Sequence, residues 1–138
     1  MLNYEVIESY GEMEKENKEI FRKYFLNTKT SNKELIDIID TLTSWNNLQC
    51  EIFTLLFDEW YNDPFEVFQI VDDENYIIWN DCNNMSDVAY YICHEYYSEM
   101  FNDDSILTRY FDYDAFGRDL EIEGTFFEFD NGYIEIIK

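Results

Sequence analysis

The chain has 138 residues, enough for one domain or for two small subdomains sharing a core. Its 12 Tyr, 12 Phe and three Trp exclude the disordered acidic class, which lacks aromatics. A formal net charge of -22 disfavours direct nucleic-acid binding through phosphates, which needs surface Lys and Arg.

Residues 1–30 read as a charge-neutral helical segment, helical at least from Met13 to Phe25, with Ile20, Phe21, Tyr24 and Phe25 on one side. The first twenty residues hold no apolar run, so no signal peptide is expected, and no stretch approaches the ~18 apolar residues of a membrane span. Asn27-Thr28-Lys29-Thr30 is a polar break. Ser31 with Glu34 forms a capping box. Leu35, Ile38, Ile39 and Leu42 then recur at helical spacing, and Ile36 broadens the stripe. After a turn at Asn46-Asn47, Leu48, Ile52, Phe53, Leu55, Leu56 and Trp60 predict a second helix. Asp63 caps a short third one, with Pro64 in the first helical position and Glu66 three residues after the cap. Residues 31–72 are expected to form a helical subdomain.

The apolar period changes near Asp72-Asp73-Glu74. Tyr76–Trp79 predicts a short strand and Asn80–Asn84 a loop. Ser86 is read as the cap of a helix whose buried side is Val88, Ala89, Ile92, Tyr96 and Met100. Asn102-Asp103-Asp104 breaks it. A short helix around Ile106–Tyr110 follows, and Asp112 caps another from about Tyr113 to Leu120. Asn131-Gly132 stands between the β-prone runs Thr125–Asp130 and Tyr133–Ile137, the signature of a type I′ hairpin, which gives both residues a structural role. Residues 73–138 are thus expected to be an α+β subdomain. The fold class is α+β: an N-terminal helical half, then a small α+β half with a short antiparallel sheet and a C-terminal β-hairpin.

The residues carry no catalytic constellation, so an enzyme is not expected. His94, the one histidine, adjoins Cys93. Neighbours on a helix point about 100° apart and do not face each other as a dyad. Four glycines provide no phosphate loop, and carboxylates are so common that no pair stands out as an acid and base. Cys50, Cys82 and Cys93 are odd in number and lack a CxxC spacing, which argues for buried thiols over a disulfide framework or a zinc site. Asp112, Asp114, Gly117 and Glu123 fit four positions of a calcium loop, but Phe116 stands where an oxygen ligand is needed. No metal and no cofactor are expected. Arg118, among Asp112, Asp114, Asp119 and Glu121, is read as structural through pairing with these carboxylates.

The placement of the charge points to a partner. Residues 1–33 hold six acids and six bases; the remainder holds 25 acids and three bases, with no Lys or Arg from Glu34 to Thr108. A single-sign surface repels itself, so something other than stability keeps the bases out. Duplex DNA carries one charge per ~1.7 Å of axis, so 25 carboxylates on one curved face would match about 40 Å of duplex. Asp87, Glu95 and Glu99 are expected along one helical stripe at phosphate-like spacing. The predicted partner-binding carboxylates are Asp58, Glu59, Asp63, Glu66, Asp72, Asp73, Glu74, Asp81, Asp87, Glu95, Glu99, Asp103 and Asp104. They are expected to form one anionic surface that fills a basic DNA-binding cleft.

The segment Tyr110-Phe-Asp-Tyr-Asp-Ala-Phe-Gly-Arg-Asp-Leu120 resembles the Y-x-D-Y-x-A-[FY]-G-R-D-L segment of the ArdA antirestriction family. The hairpin region from Gly124 to Ile136 resembles that family's terminus. Ile77-Ile78, Asp81-Cys82, Met85, Asp87-Val88-Ala89 and Tyr91 are similar to its I-I-x-x-D-C-x-x-M-x-D-V-A-x-Y-Y stretch. The likeness covers about residues 31–138, and the extra N-terminal domain of family members is not found in it. The resemblance implies an acidic, dimeric mimic of bent B-form DNA carried by a plasmid, transposon or phage. Such a protein would act in the cytoplasm of a bacterial host, in the DNA cleft of a type I restriction-modification enzyme. Two alternatives are an inhibitor of a CRISPR effector and an acidic scaffold for a basic protein that does not mimic DNA.

Overall fold

Residues 4–26, 30–59, 63–102 and 104–137 are described in the computed structural model of the chain, which divides into two units, Met1–Glu74 and Asn75–Lys138. In the first unit, α1 (Tyr4–Gly11) and α2 (Lys15–Ile20) flank a break at which Met13 is buried, where the sequence pattern predicted unbroken helix from Met13. α2 continues as a π-helical turn, Phe21–Phe25, closed by Leu26 N–H donating to Phe21 O at 3.0 Å. Phe21, Tyr24 and Phe25 are all buried there, as the sequence predicts.

α3 (Asn32–Ser44) starts where Ser31 Oγ accepts from Glu34 N–H at 3.2 Å, and it buries Leu35, Ile38, Ile39 and Leu42. α4 (Asn47–Glu59) buries Cys50, Ile52, Phe53 and Leu56. Leu48, one of the apolar residues that predict this helix, is exposed, and Cys50 is the buried residue of its first turn. Trp60 lies outside the described residues. α5 (Pro64–Asp72) follows its predicted cap, Asp63, whose carboxylate accepts from Phe65 N–H at 3.0 Å. Phe53 is a hub of the core: its ring lies 5.1 Å from Tyr24 and 5.9 Å from both Phe25 and Trp45. Burying each such side chain contributes about 1.5–3 kcal/mol.

A buried polar side chain ties this unit together. Asn17 of α2 is 2% exposed. Its Nδ2 donates to the carbonyls of Leu42 and Trp45, the latter at 3.3 Å, and its Oδ1 accepts from Cys50 Sγ at 3.6 Å. Asn17 therefore supplies donors to two carbonyls at the end of α3, those of Trp45 and of Leu42, the second of which also accepts from Trp45 N–H.

The second unit contains β1 (Tyr76–Trp79), α6 (Met85–Tyr96), α7 (Ile106–Tyr110), α8 (Tyr113–Glu123), β2 (Phe126–Phe129) and β3 (Gly132–Ile136). The sheet is antiparallel in the order β1-β3-β2, with Ile134 opposite Ile78 on one side and Phe127 on the other. Its core is Trp79, Cys82, Met85, Val88 and Ile92, flanked by Phe116, Leu120 and Phe126. α6 and α8 meet at Gly117, where an added Cβ would lie 2.7 Å from Met85 O.

Three local expectations are corrected. The cap of α6 is Asn84, whose Oδ1 accepts from Asp87 N–H at 3.0 Å, and Ser86 sits inside the helix. α6 ends at Tyr96: Phe101 N–H donates to Tyr97 O at 3.0 Å, a fold-back that buries Phe101 and leaves Tyr96 and Met100 more than half exposed. The hairpin reverses on Asp130-Asn131, since Phe129 pairs with Gly132 and Asp130 carries the positive φ of 52°. Gly132 opens β3 and is needed for close approach, because a Cβ there would run into Trp79 O.

Candidate functional site

Twelve of the 13 predicted carboxylates have a definite local position. Asp58 and Glu59 close α4, Asp63 and Glu66 open α5, and Asp72, Asp73 and Glu74 end it. Asp81 follows β1, Asp87 lies in the first turn of α6, Glu95 lies in its last turn and Asp104 precedes α7. All of these are exposed except Asp87, which is half-buried; Asp103 lies outside the described residues. Glu99 is exposed but stands in the turn after α6, so it does not continue a helical stripe from Asp87 and Glu95.

The ends of α4 and α5 are energetically poor places for acids, whereas Asp63, Glu66 and Asp87 stand at helix N-termini that favour them. α4 and α5 end in acids and carry no base in the last turn, as does α8. A carboxylate at a helix C-terminus opposes the helix dipole at about 0.3–1 kcal/mol each. Local hydrogen bonds offset part of this. Trp45 Nε1 donates to Asp72 Oδ1 at 3.3 Å, and Gln69 Nε2 donates to Asp73 Oδ2 at 2.7 Å. Glu74 and Asp81 take positive φ values of 55° and 60°, where glycine is the usual occupant.

One concavity of about 480 Å³ in the second unit brings Asp81 together with Glu128 and Asp130. Sequence reasoning stopped its acidic set at residue 104 and missed the latter two. The only signal was their position beside the hairpin reversal, which strand pairing returns to the loop after β1: Cys82 N–H donates to Asn131 O at 3.1 Å. The negative field is felt locally. Burial, then the charges of Asp87 and Asp81, pushes the Cys82 thiol up; burial, then Glu128, does the same to the Tyr133 phenol. Such a cleft suits a guanidinium or ammonium group and repels phosphate.

Arg118 is exposed on α8, and among the described residues it forms no ion pair with the carboxylates around it. The pairing expected from its sequence neighbours is not made, although Asp114 and Glu121 stand one turn before and after it, on the helix face that Arg118 shares. The same helix covers the calcium-loop positions from 113 to 123, and no group of three or more acids, His or Cys among the described residues is arranged to hold a metal. Cys93 is buried and its thiol is pushed up by that burial, whereas His94 stacks on Tyr90 at 4.0 Å and lies 3.3 Å from Tyr113 Oη. Burial also raises Cys50, to about 11.

Fold and surface define an acidic α+β protein whose exposed chemistry is carboxylate. The chain belongs to the ArdA antirestriction protein family, whose family model, described as antirestriction protein (ArdA), matches residues 1–135. The match includes the N-terminal segment, which the sequence likeness from about residue 31 does not reach. Membership makes this an antirestriction protein, of a family that inhibits restriction enzymes. No curated protein matches the chain. Among the described residues no helix is long and apolar enough to cross a membrane.

Proposed function

We propose that the chain inhibits a type I restriction-modification enzyme by occupying its DNA-binding cleft as a mimic of DNA, without catalysis and without binding nucleic acid itself. It acts in the cytoplasm of the bacterial host, as a homodimer. One observation carries the reading: of the 13 candidate carboxylates 11 are exposed, in a stretch from Glu34 to Thr108 that holds no Lys or Arg. Acids kept at helix C-termini and left-handed turns, against local preference, support the same conclusion. Exposed Tyr4, Ile7, Tyr110 and Ile122 support self-association.

The mechanism is electrostatic substitution. A basic cleft holds counterions and draws in the anionic protein as it draws in duplex DNA, with steering that weakens as salt rises. Many weak contacts act together, so no single carboxylate dominates. Changing any one of the 13 to Asn or Gln is expected to have little effect, whereas changing six to eight together weakens inhibition steeply. The test is DNA cleavage by a type I restriction enzyme, with unmodified competitor duplex titrated into the inhibited reaction. Relief by added duplex and by salt is expected. Inhibition that neither competitor duplex nor grouped neutralisation relieves refutes mimicry.

A further inference from the structure

The second unit carries an apolar cleft of about 330 Å³ that the charge reading does not use. It is lined by Cys93 and Tyr97 at the end of α6, Met100 and Phe101 in the turn, Leu107 of α7, and Phe116 of α8. Tyr97, Met100 and Leu107 are 53%, 54% and 42% exposed and form an open apolar rim. The turn beneath it is pinned: Ser105 Oγ donates to Met100 O at 2.7 Å and Thr108 Oγ1 to Asn102 O at 2.6 Å. Phe101 packs edge-on against Phe111 at 4.9 Å and forms the floor. The cleft is therefore preformed.

Its flanks are anionic. Exposed Glu99 adjoins Met100, exposed Asp104 precedes α7, and exposed Asp112 adjoins Phe111. From Cys93 to Phe116 the only Lys or Arg is Arg109, whose guanidinium lies over the Tyr110 ring. An apolar floor between carboxylates is complementary to an amphipathic helix that presents an apolar anchor flanked by Lys and Arg. Methionine and tyrosine at the rim suit such a contact, since Met adapts its shape and Tyr offers area at low entropic cost.

We propose that this cleft takes a leucine-, phenylalanine- or methionine-type anchor from a basic amphipathic helix of the target enzyme, a deepening that rests on the proposed inhibition of a DNA-binding enzyme. Phosphate mimicry by itself treats basic clefts alike. An apolar anchor beside the charged contacts adds a short-range interaction that DNA lacks, and it selects among targets.

The probe is a fluorescein-labelled helical peptide of about sixteen residues with Leu at one-turn intervals and Lys on the flanking positions, read by anisotropy against the full chain at ~150 mM salt. A partner peptide has the same lysines and Ala for Leu. The Leu peptide is expected to bind at least about tenfold tighter. Met100→Ser with Leu107→Ser is expected to reduce it to the level of the Ala peptide, and Tyr97→Ser, tested separately in case the double variant misfolds, to weaken it several-fold. Equal binding of the two peptides, or unaltered binding by folded variants, overturns the proposal. So does a shift from dimer to monomer in the double variant by sedimentation, which would show a second copy seated in the cleft. Failure of the mimicry reading is seen separately, as absence of relief by competitor duplex with the parent chain, and leaves the two-peptide comparison intact.

Discussion

Replacing Asn17 with Ala removes the polar clamp of the first unit. The side chain is 2% exposed and joins α2 to the carbonyls of Leu42 and Trp45 and to the Cys50 thiol. Leu42 O keeps a second donor, Trp45 N–H at 3.0 Å, so the loss falls mainly on Trp45 O and on the thiol. An orphaned buried carbonyl costs about 1–3 kcal/mol, and the small cavity adds to it. A destabilisation of about 2–3 kcal/mol is expected, which in a unit of this size lowers the melting midpoint by roughly 8–24 °C. The assay is urea denaturation followed by tryptophan fluorescence, with Trp45 as the local reporter, alongside Glu51→Ala as an exposed control on α4. A midpoint within the error of that control would refute the clamp and leave Asn17 as an incidental buried amide.

Gly132→Ala forces β3 away from Trp79 O and is expected to cost about 2–4 kcal/mol in chemical denaturation, whereas the same change at Gly11, with open space around it, stays within about 0.5 kcal/mol of packing neutrality plus its helix gain. At Asp63, Ala is expected to cost about 1 kcal/mol by removing the cap, and Asn only a few tenths, so thermal melts separate cap from charge. The Cys50 thiol, raised by burial from 9.0 to about 11, favours the fold in its protonated form. That contribution is fully present below pH 9.0 and is lost as pH rises through about 11, so Cys50→Val is expected to flatten the alkaline decline measured by denaturation across that range.

What the sequence revealed, and what it concealed, divides by range. Signals carried by a few adjacent residues survive: Ser31 with Glu34, Asp63 before Pro64, Ser105 before α7 and Asp112 before α8 sit at helix starts, although the cap at Ser105 was not singled out. Pairing across distance does not. Nothing adjacent to Asn17 announces that its partners lie 25 to 33 residues away. The helical stripe running on to Met100 fits the 3.6 period as well as the observed ending at Tyr96; burial of Phe101 decides between them. Asn131-Gly132 located the hairpin but not its register, because the demand on Gly132 comes from Trp79 of a strand more than fifty residues earlier. The acids were legible as a charge distribution, and Asp81 with Glu128 and Asp130 became a cleft only once the strands were paired.

The three reversals that carry Glu74, Asp81 and Asp130 in left-handed backbone have a practical consequence for anyone improving this protein. An L residue there pays about 1–2 kcal/mol, less for Asp, and a glycine would regain roughly 0.5–1 kcal/mol after its own entropy cost. Each such exchange also deletes a negative charge. A library sorted on heat resistance alone would therefore enrich glycine at these turns first, and would erode the inhibitor's charge while every biophysical measure of its fold improved.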